Sequence, residues 1–376
     1  MAPHDCRPDD ANEEPRVTSR HVNLVPERAQ GGNSGGVKQG SSVSKAWREL
    51  FSRSRASDKT LPKRKSNRPR PRRIPEKTET TANEDDLNLS ALENRRDLQE
   101  SPASRLGKAE LGRYAHEEAM PRSLRTLLQG RGESNNSGII TVLSKLLKVD
   151  PSTKLAYLCD PCVQHVAKMS REGSFCGYRN LQMLISYIIN AQAPGAHLFS
   201  ERYPTILQIQ DLIENAWDHG HNSHGRQETG GIRGTRKFIG TPEAQALFCG
   251  LGIRCSSQAF RNDEPGRAAK FMLNAVAEYF KKQPDPPQEQ KVYRTKAAPI
   301  YLQHQGHSLT IVGIEEQKDG DQSLIVFDPA HRDSSTMKTL AGAPVRRLPT
   351  TPSRLLRPYR CSIRYLRKYK EFELLL

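Results

Sequence analysis

The sequence predicts an α+β fold. Three observations carry this: helical periodicity through the middle of the chain, strands clustered towards its end, and a cysteine at the head of the clearest helix. Helices come first and strands follow, so the chain does not alternate the two as a βαβ fold would.

The elements follow in order. Residues 106–120 carry Leu106, Leu111, Tyr114, Ala115 and Met120 among charged residues and read as an amphipathic helix that stops before Pro121. Leu124, Leu127 and Leu128 continue as a second helical piece, and residues 130–138 form a Gly/Ser/Asn loop. Residues 139–149 are helical again, with Ile140, Val142, Leu143, Leu146 and Leu147 on one side. Behind Cys176, Leu181, Leu184, Ile185, Ile188 and Ile189 recur at the spacing of one helical face. A further helix runs over residues 205–217, then a glycine- and histidine-rich loop over 220–234. Thr241-Pro242-Glu243 is a helix start, with Pro at the first helical position and an acid in the first turn. A strand over 252–260, a helix over 266–280 and a proline loop over 283–288 lead to three strands, at 299–303, 308–315 and 323–328.

Composition bounds the partners. The chain has 376 residues, 35% hydrophobic, and a net charge of +16. From residue 1 to about 104 the apolar residues are scattered among Pro, Ser, Arg, Asn and Glu, too few to offset the entropy of ordering, so this region is expected to be disordered and basic. Residues 105–150 are expected to form a helical extension, and 151–376 a folded domain of plausible size. Between Lys45 and Arg73 there are twelve Lys/Arg against Glu49 and Asp58. That run reads as a nuclear localisation signal, as a weak nucleic-acid contact, or as a solvated basic tail. Arg346 to Lys370 carries nine Lys/Arg and no acid, mixed with Leu355, Leu356, Tyr359, Ile363 and Tyr365, and is expected to be a folded edge with a basic outer face. The acidic first residues lack the apolar core of a secretory signal, and no apolar run approaches the roughly 18 residues of a membrane span. Seven cysteines without disulfide-type spacing suit a reducing nuclear or cytoplasmic compartment. No repeat is visible, and a monomer is expected.

The chemistry centres on Phe175-Cys176-Gly177-Tyr178-Arg179-Asn180. A helix start offers unpaired N–H groups and the positive end of the helix dipole, both of which favour thiolate, the nucleophilic form of cysteine. Such a nucleophile needs a base, and the base needs an orienting group. His307 enters the second strand from Gln303-His304-Gln305-Gly306-His307-Ser308, and Asp328 ends the third strand ahead of Pro329. Neighbouring strands would bring the two together, completing a triad in chain order Cys, His, Asp. By residue type alone, a helix-start cysteine is more often a small core residue, a strand-start histidine is usually structural, and a strand-ending Asp-Pro is often only a turn. Cys159-Asp160-Pro161-Cys162 with His165 has the spacing of half a zinc site, but no second pair follows. His219, His221 and His224 read as polar loop residues. No metal or cofactor is expected.

The block Cys176-Gly177-Tyr178-Arg179-Asn180-Leu181-Gln182-Met183-Leu184, then Gln303-His304-Gln305-Gly306-His307-Ser308, then Phe327-Asp328-Pro329, resembles the Ufm-type (ubiquitin-fold modifier) and ubiquitin cysteine protease family over residues 150–335. The resemblance implies a papain-like fold, with the nucleophile at a helix N-terminus and the His and Asp on a central antiparallel sheet. It also implies a cysteine attacking the carbonyl after a modifier's C-terminal glycine. In the Ufm-type branch, Asp and His share one Asp-Pro-His unit; here Asp328-Pro329-Ala330-His331 is one residue longer. The ubiquitin branch takes its His from a Gly-His-Ser turn and its Asp from a later Asp-Pro, as Gly306-His307-Ser308 and Asp328-Pro329 do. The resemblance therefore favours a deubiquitinase near the zinc-finger-containing ubiquitin peptidase branch, acting on ubiquitin or polyubiquitin. Gln303 would be an oxyanion donor beside the Cys176 N–H, and His331 a surface residue. Arg179 would hold the cysteine loop or a carboxylate, and Asn180 and Gln182 would anchor the helix. Two departures stand out. Ser174-Phe175 replaces the Trp-Gly often found before the nucleophile, and no Cys/His set of finger spacing occurs in residues 1–150.

Overall fold

The computed structural model describes residues 18–20, 114–130, 133–169, 172–282, 290–342 and 351–376. The helices are α1 (Arg122–Gln129), α2 (Ile139–Val149), α3 (Cys176–Asn190), α4 (Ile206–Asp218), α5 (His224–Thr229), α6 (Thr241–Gly250), α7 (Arg267–Lys281), α8 (Ser335–Gly342), α9 (Pro352–Leu356) and α10 (Ile363–Leu366). The strands are β1 (Thr18–Arg20), β2 (Ser134–Asn136), β3 (Thr153–Leu158), β4 (His165–Ala167), β5 (Ser257–Arg261), β6 (Val292–Arg294), β7 (Ile300–His304), β8 (His307–Gln317), β9 (Gln322–Phe327), β10 (Arg360–Ser362) and β11 (Glu371–Leu375).

One sheet runs β1-β5-β11-β7-β8-β3-β6, and β9 pairs both β8 and β10. Every pairing in it is antiparallel except β3 with β6. β8 is the trunk of the sheet. Its first half pairs with β7, its second half with β3, and β9 lies along it from Thr310 to Glu316. A register shift between Ile311 and Gly313 marks the fork. A Cβ on Gly313 would lie 2.3 Å from the Tyr157 carbonyl oxygen, so only glycine lets β3 approach there.

Helix α3 packs against β8 and α4. The sequence predicts one apolar stripe on it, yet Arg179, Asn180, Gln182 and Ser186 are buried along with the stripe. Sheet on one side and loop and helix on the other leave it no solvent face. Each buried aliphatic side chain contributes about 1.5–3 kcal/mol, and the polar ones are tolerated because each is hydrogen-bonded.

Several elements differ from expectation. The described part of the 106–120 helix, residues 114–120, is a turn closed by the Glu117 N–H on the Tyr114 carbonyl (3.0 Å). Tertiary contacts outweigh helix propensity there: Arg236 pairs with the Glu117 carboxylate and lies 4.1 Å over the Tyr114 ring. The expected 252–260 strand is confined to β5, and the 220–234 loop contains α5. In the basic C-terminal segment Arg354, Arg357, Arg364 and Arg367 are exposed, but Arg360 turns inward to pair with Glu315 (2.6 Å) and Asp150 (2.9 Å). Apart from the backbone of β1, residues 1–104 with their basic run lie outside the described residues.

Candidate active site

Three elements converge on Cys176. It is the first residue of α3, and no side chain caps that helix start. His307 is the first residue of β8, and Asp328 follows the last residue of β9. Thr310 pairs with Phe327, so the start of β8 lies beside the end of β9. That register explains how two residues 21 positions apart meet: His307 Nε2 is 2.9 Å from Asp328 Oδ1. Helix α3 is pinned to the same strand by Asn180, which donates to Ser308 Oγ (2.9 Å) and accepts from Thr310 Oγ1 (2.9 Å). Asn180 lies one turn after Cys176, so this clamp sets the sulfur beside the imidazole. The His307 ring and the Ser308 hydroxyl and N–H are the groups that act on the Cys176 thiol electrostatically. With Nε2 held by Asp328, Nδ1 is the nitrogen left to face sulfur.

The loop ahead of Cys176 is fixed by a buried ion pair. Arg179 binds Glu172 through Nε (3.1 Å) and Nη2, and donates from Nη1 to Gln182 Oε1 (2.7 Å). Gln182 in turn donates to the Pro204 carbonyl (2.8 Å). Gly177 lets the helix start approach residue 239: a Cβ there would sit 2.6 Å from Ile239 Cγ1 and 2.9 Å from its carbonyl oxygen.

The electrostatics separate Cys176 from Cys159, Cys162 and Cys361. Burial pushes its thiol up, but the hydrogen bond and charge of His307, with the Ser308 donors, bring it down to about 7. Burial lowers His307, but bonds to Asp328 and Cys176 outweigh this and raise it to about 9. Burial raises Asp328, which its bond to His307, the Ala330 N–H and the Lys168 charge override, holding it below the usual carboxylate range. Cys162 and Cys361, by contrast, are pushed up to about 12, chiefly by burial. Between about 7 and about 9 the site therefore holds thiolate against imidazolium, the two titrating as a pair.

Gln303 stands apart from this group. Its amide donates to the carbonyls of His304 (2.7 Å) and His307 (3.0 Å), and its Oε1 accepts from the Tyr301 hydroxyl (3.2 Å). Both amide hydrogens are thus committed to the β7–β8 turn, and an oxyanion would have to displace one. His331, expected at the surface, is half-buried with its ring centroid 5.3 Å from that of Tyr359. Cys159 and Cys162 belong to no metal-holding group: among the described residues no three His, Cys, Asp or Glu side chains are placed together to hold a metal ion.

Sequence reasoning missed Tyr301, whose hydroxyl interacts with Ser308 and Gln303. Its position two residues before Gln303, on the same face of β7, was the available signal. It also missed His304, whose ring stacks on Tyr369 (4.0 Å) and whose Nε2 meets the Tyr365 hydroxyl (3.1 Å). Burial drives His304 down to about 4, leaving it neutral beside His307.

A model of Peptidase family C78 matches residues 152–375. The chain belongs to that family. This C78 member is therefore a cysteine peptidase in class, with a helix-borne cysteine and with His and Asp at strand ends of the sheet. It is 32% identical over 212 residues to Zinc finger-containing ubiquitin peptidase 1 of Mus musculus, covering 56% of this chain and 36% of that protein. It is 29% identical over 168 residues to Ubiquitin carboxyl-terminal hydrolase mug105 of Schizosaccharomyces pombe, covering 43% of this chain and 62% of that protein. The chain thus spans about a third of the length of the mouse relative. A crystal structure of UfSP from C. elegans aligns with 65% of this chain and 37% of its own, at 14% identity and a TM-score of 0.39.

Proposed function

We propose that this C78 peptidase is a deubiquitinase that hydrolyses isopeptide bonds after the C-terminal glycine of ubiquitin, in polyubiquitin. The carrying observation is the wiring of the base. The imidazole held by Asp328 belongs to His307 of the Gly306-His307-Ser308 turn, while His331 of Asp328-Pro329-Ala330-His331 packs on Tyr359. Similarity to a ubiquitin peptidase and to a ubiquitin carboxyl-terminal hydrolase supports the same reading.

In this reading the Cys176 thiolate attacks the glycine carbonyl carbon, and the carbonyl π pair moves onto oxygen. The Cys176 N–H stabilises that oxyanion, with Gln303 as second donor after it releases one turn carbonyl. The His307 imidazolium gives its proton to the departing lysine amine as the C–N bond breaks, leaving a thioester. Neutral His307 then takes a proton from water, whose oxygen attacks the thioester carbonyl, and the thiolate departs. Asp328 orients the ring and stabilises its charged form throughout.

A panel of C-terminal electrophilic probes tests the substrate. Labelling of Cys176 by the ubiquitin probe supports the proposal. Preferential labelling by an Ufm-type probe moves the substrate to that modifier, and a folded protein that ignores every probe points to a non-catalytic modifier-binding module. A di- and polyubiquitin panel with wild type and the Cys176→Ala variant then reads linkage. The basic run Lys45–Arg73 is assigned to nuclear or cytoplasmic placement and a weak nucleic-acid contact. That contact should weaken steeply with salt and vanish when residues 45–73 are deleted; affinity indifferent to salt contradicts it.

A further inference from the structure

A second His–Asp pair lies behind the first. His165, in β4, and Asp333, in the segment after β9, are both fully buried, with His165 Nδ1 2.8 Å from Asp333 Oδ1. The other ring nitrogen, Nε2, is 3.1 Å from the main-chain carbonyl oxygen of Asp328. The ring stacks on Phe327, the residue just before Asp328, with centroids 4.6 Å apart. Asp333 is itself held from three sides, by His165, by the Tyr359 hydroxyl at Oδ1 and by Asn136 Nδ2 at Oδ2 (2.7 Å). Both neighbours of the His165 ring are oxygens, the Asp333 carboxylate on one nitrogen and the Asp328 carbonyl on the other.

We propose that His165 and Asp333 are positioning residues for Asp328. The chain of contacts runs Asp333 carboxylate, His165 ring, Asp328 carbonyl, and through one residue's own backbone to the Asp328 carboxylate that holds His307. The same residue is fixed locally by the Ala330 N–H on its Oδ1 (2.8 Å) and the His331 N–H on its carbonyl (2.9 Å). Those two bonds define a turn, and the His165 bond ties that turn to β4, which packs on α3. The dyad thereby couples the strand end carrying the orienting acid to the helix carrying the thiol. This inference rests on the catalytic reading of Cys176, His307 and Asp328.

The charged and titratable groups around His307 and Asp328 are Cys176 from α3, His304 from β7, Lys168 just after β4, Cys361 from β10 and Tyr365 from α10. Around His165 they are Asp333, His331 and Tyr359. None of these is altered in the test below except Asp333.

The test uses side-chain amides as single-nitrogen replacements. In His165→Asn the amide nitrogen stands where Nδ1 stands and can reach only Asp333. In His165→Gln it stands where Nε2 stands and can reach only the Asp328 carbonyl. The readout is the pH dependence of iodoacetamide alkylation of the Cys176 peptide, followed by mass spectrometry in the full-length protein. It reports the thiolate–imidazolium pair without any modifier substrate, so a wrong substrate assignment leaves it intact. His165→Asn and Asp333→Asn should move the Cys176 midpoint up from about 7 by about one pH unit, a tenfold fall in the thiolate-to-thiol ratio, while His165→Gln stays within about a third of a unit of wild type. Equal shifts in the Asn and Gln variants, or no shift in any folded variant, overturn the proposal. Thermal melts identify unfolded variants, and placing the substitutions at two sites in different segments keeps the test open if one does not fold.

Discussion

Among the described residues two His–Asp pairs are built from the same chemistry in different surroundings. In His307–Asp328 the side chains are 22% and 29% exposed, and the Cys176 thiol acts on the same ring. In His165–Asp333 both side chains are 0% exposed, and the second ring nitrogen ends on a main-chain carbonyl. Neither the residue types nor the ring-to-carboxylate distance, 2.9 Å against 2.8 Å, tells them apart. What differs is the third partner. In the proposed reading, a neighbour able to give up a proton makes one pair reactive, and a neighbour able only to accept makes the other a tether.

The comparison breaks most sharply at the third partner. Replacing Cys176 by Ala should lower turnover of a cleaved modifier conjugate by about 10⁴-fold or more while the melting curve stays close to wild type; residual turnover near wild type would mean another nucleophile. Asp328→Asn should cost about 10²- to 10⁴-fold in kcat/KM, because the amide cannot stabilise the imidazolium and presents either nitrogen or oxygen to His307. The same variant sharpens the pH profile. Wild-type kcat/KM should be bell-shaped, rising through about 7 as Cys176 loses its proton and falling through about 9 as His307 loses its own. Asp328 raises His307, so removing its charge should bring the alkaline limb down in pH. An unmoved limb would remove His307 from the assignment. The buried pair should give the smaller, nitrogen-specific effects described for His165→Asn and His165→Gln. Smallest of all in rate, though clear in stability, is Gly177→Ala. Its Cβ meets the Ile239 carbonyl and side chain, so denaturant unfolding should show a loss of about 1–3 kcal/mol; no loss would mean that residue 239 yields freely.

The two pairs also differ in how far the sequence announces them. Helix α3 and strands β7, β8 and β9 are visible as apolar periodicity, and with them the relative placement of Cys176, His307 and Asp328. Strand β11 is not visible: its five residues lie between β5 and β7 only because the C-terminus returns to the sheet. His165 and Asp333 are 168 positions apart, and His165 draws the eye as a spare zinc ligand after Cys162. Nothing in its local pattern shows that Phe327 will stack on it or that β9 will deliver a carbonyl to its ring. Gln303 shows the converse. Its position predicts a donor, whereas its amide is occupied by two turn carbonyls. Strand register decides such contacts, and register is a property of the whole sheet.

The central claim is that Cys176, activated by His307 and Asp328, acts on the C-terminus of ubiquitin. Its most direct test is incubation of the folded full-length protein with a ubiquitin probe bearing a C-terminal electrophile, followed by peptide mapping. The account predicts one covalent ubiquitin adduct on Cys176, lost in Cys176→Ala and formed faster than with an Ufm-type probe. A folded wild-type protein that leaves the ubiquitin probe unreacted, or an adduct that persists in Cys176→Ala, would contradict it.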